Sequence, residues 1–123
     1  VDAIDSLLHK QHLLVAASKT GATIFSSMGA ALKMDPLNIR VAEFWEVKGC
    51  KLAQALRTRM RKSGEKPLKP ILCVYSEERR QNKGARIDKA KVNGSMVQVT
   101  ATFGFTLSGL VIQDIAEQTS KQV

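Results

Sequence analysis

Apolar positions near the start of the chain recur at spacings of about three and four: Leu7, Leu8, Leu13, Leu14, Ala16 and Ala17. That is the period of a helix with one buried face. Asp5 or Ser6 can cap its start, and Gly21 is expected to end it in the left-handed conformation that glycine tolerates. Ahead of this helix, "VDAID" reads as the tail of a buried strand that delivers Asp5 to the helix mouth. The β-branched and aromatic run "ATIFSSMG" predicts a strand that breaks at Gly29. Asp35-Pro36 marks a turn, and a strand is expected from about Ile39 to Trp45. In "GCKLAQALRTRMRKSG", Leu52, Leu56 and Met60 lie four apart on one face of an amphipathic helix, with basic residues around the rest.

A Pro-bearing linker, "EKPLKP", leads into the short buried strand "ILCVYS". From Glu77 the chain turns charged and polar with little periodicity, so residues 77–95 are expected to form a mobile basic loop. "SMVQVTATFGF" reads as a further strand, passing through Thr100 to Gly104 into a last helix, "TLSGLVIQDIAEQ". Strands alternating with helices predict an α/β fold in which helices cover a mixed sheet.

A length of 123 residues suits one domain, and an apolar fraction of 44% suits a globular one. Aromatics make up only 5%, which leaves the core mostly to Val, Ile, Leu, Ala and Met. No apolar run approaches the ~20 residues of a membrane span, and no leader pattern opens the chain. Cys50 and Cys73 are too few for a disulfide scaffold, so a cytoplasmic setting is expected. Nineteen Lys and Arg against eleven Asp and Glu give a net charge of +8, which attracts polyanions, nucleic acid or nucleotide first.

Five blocks in order carry a resemblance. "VDAIDS" followed by Lys10, "GATIFSSMGAALKMDPLNIRVAEF", "GCKLAQALRTRMRKSG", "ILCVYSEE" and "GSMVQVTATFGF" are similar to successive segments of the ThiF/MoeB/HesA superfamily of ubiquitin-activating-like adenylating enzymes. They most resemble the branch that dehydrates threonylcarbamoyladenosine in tRNA. The resemblance implies a Rossmann-like adenylating domain. Residues 1–123 would be its C-terminal portion, inactive without the Gly-rich half, since no G-x-G-x-x-G occurs here. It further implies ATP and Mg²⁺, adenylation of the threonylcarbamoyl carboxylate, tRNA as substrate, a homodimer and a possible sulfur-transfer protein partner.

Asp5, at the carboxyl end of a strand, is where open α/β sheets bind ligands. The resemblance makes it the catalytic carboxylate that meets Mg²⁺ through ATP, whereas its residue type alone also suits a helix cap. Lys10 would neutralise phosphate, or be a solvated lysine on a helix face. Ser27 and Gly29 belong to a small-residue loop that could line the acyl-adenylate pocket. Arg57, Arg59, Arg61 and Lys62, with Arg79 and Arg80 in the basic loop, are candidate RNA contacts that position without reading sequence. Trp45, Phe44 and Tyr75 are expected in the core, and could stack on the target adenosine only from a pocket wall. Cys73 should be buried with its pKa raised, while Cys50 opens a helix that favours thiolate. His9 and His12 lack partners at metal-ligand spacing. Two alternatives remain open: adenylation of a ubiquitin-like or sulfur-carrier protein, and a non-catalytic basic module that binds RNA or protein.

Overall fold

The computed structural model describes residues 1–84, 86–87, 90–91 and 93–122. Along the chain run α1 (Leu7–Ser18), β1 (Phe25–Ser27), a 3-10 turn over Pro36–Asn38 and β2 (Ile39–Glu43). They are followed by α2 (Lys51–Ser63), β3 (Leu72–Ser76), β4 (Arg86–Ile87), β5 (Ala90–Lys91) and α3 (Val97–Lys121). The sheet is mixed, as expected: β3 lies between β1, to which it is parallel, and β2, to which it is antiparallel. Asp2 continues the sheet past β1 through a parallel bridge to Ser26. There Asp2 N donates to Phe25 O and Ser27 N to Asp2 O, both at 2.8 Å. Of "VDAID" only Asp2 pairs with the sheet, while Val1 and Ile4 are 72% and 38% exposed, so the expected buried strand is reduced to a single bridge ahead of α1.

Side chains alternate across β3 and from Cys73 onward are buried on both faces, while Leu72 is exposed. Cys73 and Tyr75 join Leu14, Phe44, Leu56 and Met60 in a core beneath α1 and α2. Val74 and Phe25 face the other way and meet Val99, Phe103 and Leu107 of α3. In α2, Ala53, Leu56 and Met60 form the buried stripe. Cys50 caps the start of α2, its Sγ accepting from Ala53 N at 3.5 Å, and Gly64 closes the end at φ +74°.

Several expectations are corrected. The predicted strand "SMVQVTATFGF" is helical: Val99, Phe103 and Leu107 are buried at intervals of four, and that face docks on β1 and β3. Its β-branched and aromatic residues favour strands only weakly, and burial of a four-residue period overrides them. By length and composition α3 is long and apolar enough to cross a membrane, contrary to the reading that no run is. α1 buries Lys10, Gln11, Leu14, Val15 and Ser18, while Leu8 and Leu13 are 42% and 38% exposed, so polar residues share its inner face. Gly21 does not take a positive φ; α1 is capped at Lys19, whose N–H donates to Ala16 O, while Thr20 N–H donates to Ala17 O.

β2 stops at Glu43 rather than Trp45: after one last ladder bond from Phe44 N to Ile71 O, Trp45 N turns back to the Glu43 carboxylate and Glu46 N to Glu43 O. Within the expected loop 77–95, β4 and β5 pair antiparallel. Ala85, Asp88, Lys89 and Val92 lie outside the described residues.

Candidate active site

β1 and β3 point the same way, and the segments just past their carboxyl ends form two walls of a cleft of about 870 Å³. Gly29 and Lys33 come from the first segment, and Glu78, Arg79 and Arg80 from the second. A third wall is the stretch from Trp45 into α2, including Cys50, Arg57 and Arg61. It is held close by Gly49, which sits at φ +69° against Glu77; a Cβ there would lie 2.8 Å from Glu77 O. Asp5 reaches the cleft from the mouth of α1, with its side chain exposed. Ser6, not Asp5, occupies the N-cap position, and no side-chain cap bond forms. Asp5 is thus a carboxylate facing a cleft with four arginines.

A reciprocal clamp joins the first two walls. Lys33, 6% exposed, donates from Nζ to Ser76 O at 2.9 Å and to Glu78 O. Burial lowers its pKa, against the attraction of Cys50 and Glu78. In return the Glu78 carboxylate accepts Met34 N at 2.9 Å and Asp35 N at 3.0 Å, and it pairs with Arg80 Nε. The Asp35 N–H, then Arg80, then the Met34 N–H pull the Glu78 pKa down from 4.5 to about 2. Just before this clamp Leu32 holds a φ of +59°, a left-handed conformation that non-glycine residues rarely adopt. Its N–H donates to Gly94 O at 3.0 Å.

The candidates divide. Asp5, Gly29, Arg57, Arg61, Arg79 and Arg80 line the cleft. Arg59 and Lys62 face a second groove, about 900 Å³, between α1 and α2, together with His12 and Lys51. Lys10 is not on a solvated face and does not line the cleft. It is fully buried, paired with Asp2 at 2.8 Å, and it donates to Ser27 O at 2.7 Å and Ile4 O at 3.0 Å. Those three oxygens account for its three protons, so Lys10 holds the floor beneath Asp5 instead of meeting phosphate. Ser27 also falls outside the cleft lining; its Oγ lies 3.2 Å from Met28 O. Gly29 keeps an ordinary φ, and a Cβ there would make only a 3.7 Å contact with Leu52.

Cys73 is fully buried, and burial pushes its pKa up to about 12, as its strand position suggests. Cys50 is buried at the cleft edge. Sequence reasoning did not single out Lys33 or Glu78. The available signal was a basic residue two positions after the small-residue loop "SSMGAA", and an acidic pair directly after "ILCVYS". Among the described residues no three His, Cys, Asp or Glu gather into a metal-binding group.

No protein-family model matches the chain. In sequence it is 32% identical, over 94% of its length, to the Bacillus subtilis tRNA threonylcarbamoyladenosine dehydratase. In fold it superposes on E. coli tRNA N6-threonylcarbamoyladenosine dehydratase in complex with ATP, with a TM-score of 0.80 and 25% identity over 98% of the chain. The chain matches the C-terminal half of a tRNA threonylcarbamoyladenosine dehydratase. The E. coli dehydratase in complex with AMP gives a TM-score of 0.78, again over 98% of this chain. A Saccharomyces cerevisiae dehydratase is 34% identical over 71% of it. The chain spans 49% of the length of the Bacillus dehydratase, 48% of the ATP-bound E. coli chain and 19% of the yeast protein. The resemblance drawn from the five sequence blocks thus stands in both sequence and fold.

Proposed function

We propose that the chain supplies the substrate-side wall of an ATP-dependent tRNA threonylcarbamoyladenosine dehydratase and works with the half of that domain these residues do not span. In this reaction the free threonylcarbamoyl carboxylate attacks the α-phosphorus of ATP and pyrophosphate leaves. An atom of the carbamoyl group then attacks the activated carbonyl carbon, and AMP departs with the carboxylate oxygen. Ring closure is intramolecular and gains from proximity.

One observation carries the reading: Asp5 faces a basic cleft at the carboxyl ends of parallel strands, beside Arg57, Arg61, Arg79 and Arg80. Arg57, Arg79 and Arg80 supply positive charge for phosphate and carboxylate oxygens as negative charge moves onto the leaving group. A single carboxylate fits Mg²⁺ only where ATP phosphates provide most of the remaining ligands, which is the usual way this cation is held beside nucleotides. When bound, the cation would contribute neutralisation of phosphate charge. Arg59 and Lys62, in the groove between α1 and α2, would extend the positive surface along the tRNA backbone. The exposed Phe105, Ile112 and Ile115 of α3 support a homodimer interface.

Adenylation of a sulfur-carrier protein is less well supported, because the sequence similarity is to dehydratases that act on tRNA. The test is ATP–pyrophosphate exchange by the full-length protein with threonylcarbamoylated tRNA, comparing wild type with Asp5→Ala. Exchange should fall by about 100-fold or more. Exchange at the wild-type rate by Asp5→Ala would overturn the assignment.

A further inference from the structure

We propose that Trp45 and Arg61 form a stacking platform that holds the reacting adenine of the RNA flat against the cleft wall. The inference rests on the function proposed above and adds a positioning role to two residues of the same cleft. Trp45 is the one tryptophan of the chain; it is half-buried and lines the cleft that Asp5 faces. Phe44, fully buried, sets the orientation of the indole through an edge-to-face contact at 5.1 Å and 73°. The guanidinium carbon of Arg61 stands 5.4 Å from the centroid of the indole. One helical turn earlier, Arg57 donates to Phe44 O at 2.9 Å, which ties the Trp45 segment to α2 at the point where Arg61 projects.

The indole and the guanidinium are therefore positioned together before any ligand arrives. Among the described residues Arg61 has no carboxylate partner, so its planar cation is not spent on an ion pair. Bases stack on aromatic rings and on guanidinium planes alike, and a basic groove with an aromatic wall is how single-stranded bases are held. Phosphate attraction alone would be served equally by a lysine, whereas stacking needs the flat, delocalised fork of arginine. An adenine resting on this pair would leave its exocyclic group free to extend across the cleft toward Asp5.

The test measures binding of an anticodon stem-loop with adenosine at the modification position, against the same stem-loop with an abasic ribose there. The full-length wild type, Trp45→Ala, Trp45→Phe and Arg61→Lys are compared, with ATP affinity measured for each. Wild type should bind the adenosine form roughly tenfold more tightly. Trp45→Ala and Arg61→Lys should lose most of that ratio and still bind the abasic RNA as wild type does, which also shows that they are folded. Trp45→Phe should keep much of the ratio, and ATP affinity should be the same in all four. A tenfold ratio that survives in both Trp45→Ala and Arg61→Lys would overturn the platform alone. Reduced ATP affinity with an intact base ratio would overturn it by assigning the pair to the nucleotide cosubstrate. Failure of the wild type to bind either RNA would overturn the tRNA reading itself.

Discussion

Lys10 Nζ lies 2.8 Å from Asp2 Oδ2, with the two side chains 0% and 2% exposed. Asp2 also accepts from Ser26 Oγ at 2.6 Å and Ile4 N at 3.0 Å, and Lys10 reaches Ser27 O. This one pair ties the first strand-like segment, α1 and the end of β1 together, and the backbone that presents Asp5 runs over it. Removing one partner leaves the other charge buried and alone. Lys10→Met should cost about 3–5 kcal/mol of unfolding free energy in urea titration. Adding Asp2→Asn to that variant should recover part of the loss, since the stranded carboxylate is then gone. Simple additivity of the two changes would argue against the pair.

Phe103 and Phe105 test the helical register of α3. In a strand the two would share a face; in the helix Phe103 is 3% exposed and Phe105 is 76% exposed. Phe103→Ala should destabilise by about 3–5 kcal/mol, whereas Phe105→Ala should change monomer stability by less than about 0.5 kcal/mol. Similar losses for both in chemical denaturation would contradict the register.

Gly49 and Gly64 share a left-handed backbone, at φ +69° and +74°, in different surroundings. A Cβ at Gly64 meets nothing within 4 Å, so Gly64→Ala should cost only the conformational term, about 1 kcal/mol. A Cβ at Gly49 would lie 2.8 Å from Glu77 O, a backbone atom that cannot swing aside. Gly49→Ala should therefore cost more, about 2–3 kcal/mol by thermal unfolding, and loosen the third wall of the cleft.

Glu78 gives the clamp between the first two walls a defined acid limit. Its pKa falls from 4.5 to about 2 on folding, so its contribution is fully present above about 4.5 and disappears as pH drops toward 2. Stability measured against pH should show wild type exceeding Glu78→Gln at neutral pH, with the gap closing across that window. A gap that stays constant from pH 6 to pH 2 would mean that the carboxylate is not what Met34 N and Asp35 N are bonded to.

The reach of sequence reasoning follows from which features are local. The four-residue stripe of α2, the Asp35-Pro36 turn and the apolar strand "ILCVY", buried except at Leu72, are properties of neighbouring residues, and each appears where its pattern predicts. The first half of α3 reads as a strand because Val97, Val99 and Phe103 have side chains that suit one, while the four-residue spacing of Val99, Phe103 and Leu107 matters only once a sheet is there to receive it. The burial of Lys10 is hidden in the sequence for a related reason. A lysine on a helix is ordinarily solvated, and nothing nearby in sequence says that an aspartate eight positions earlier and a carbonyl from β1 will enclose it.

The cleft shows the same division. Its arginines and Asp5 could be picked out by charge and by their place at element ends, because charge belongs to a residue wherever it goes. Their sorting could not: Arg57 and Arg61 turn to the cleft and Arg59 and Lys62 to the other groove, since helical angle assigns faces only when the packed side is known. The chain by itself determined the helical stripe of α2, the buried central strand and the excess of positive charge. Tertiary structure alone decided that residues 97–105 extend the last helix instead of forming a strand, that Lys10 is internal, and that Trp45 stands beside Arg61, because each depends on contacts between residues far apart in sequence.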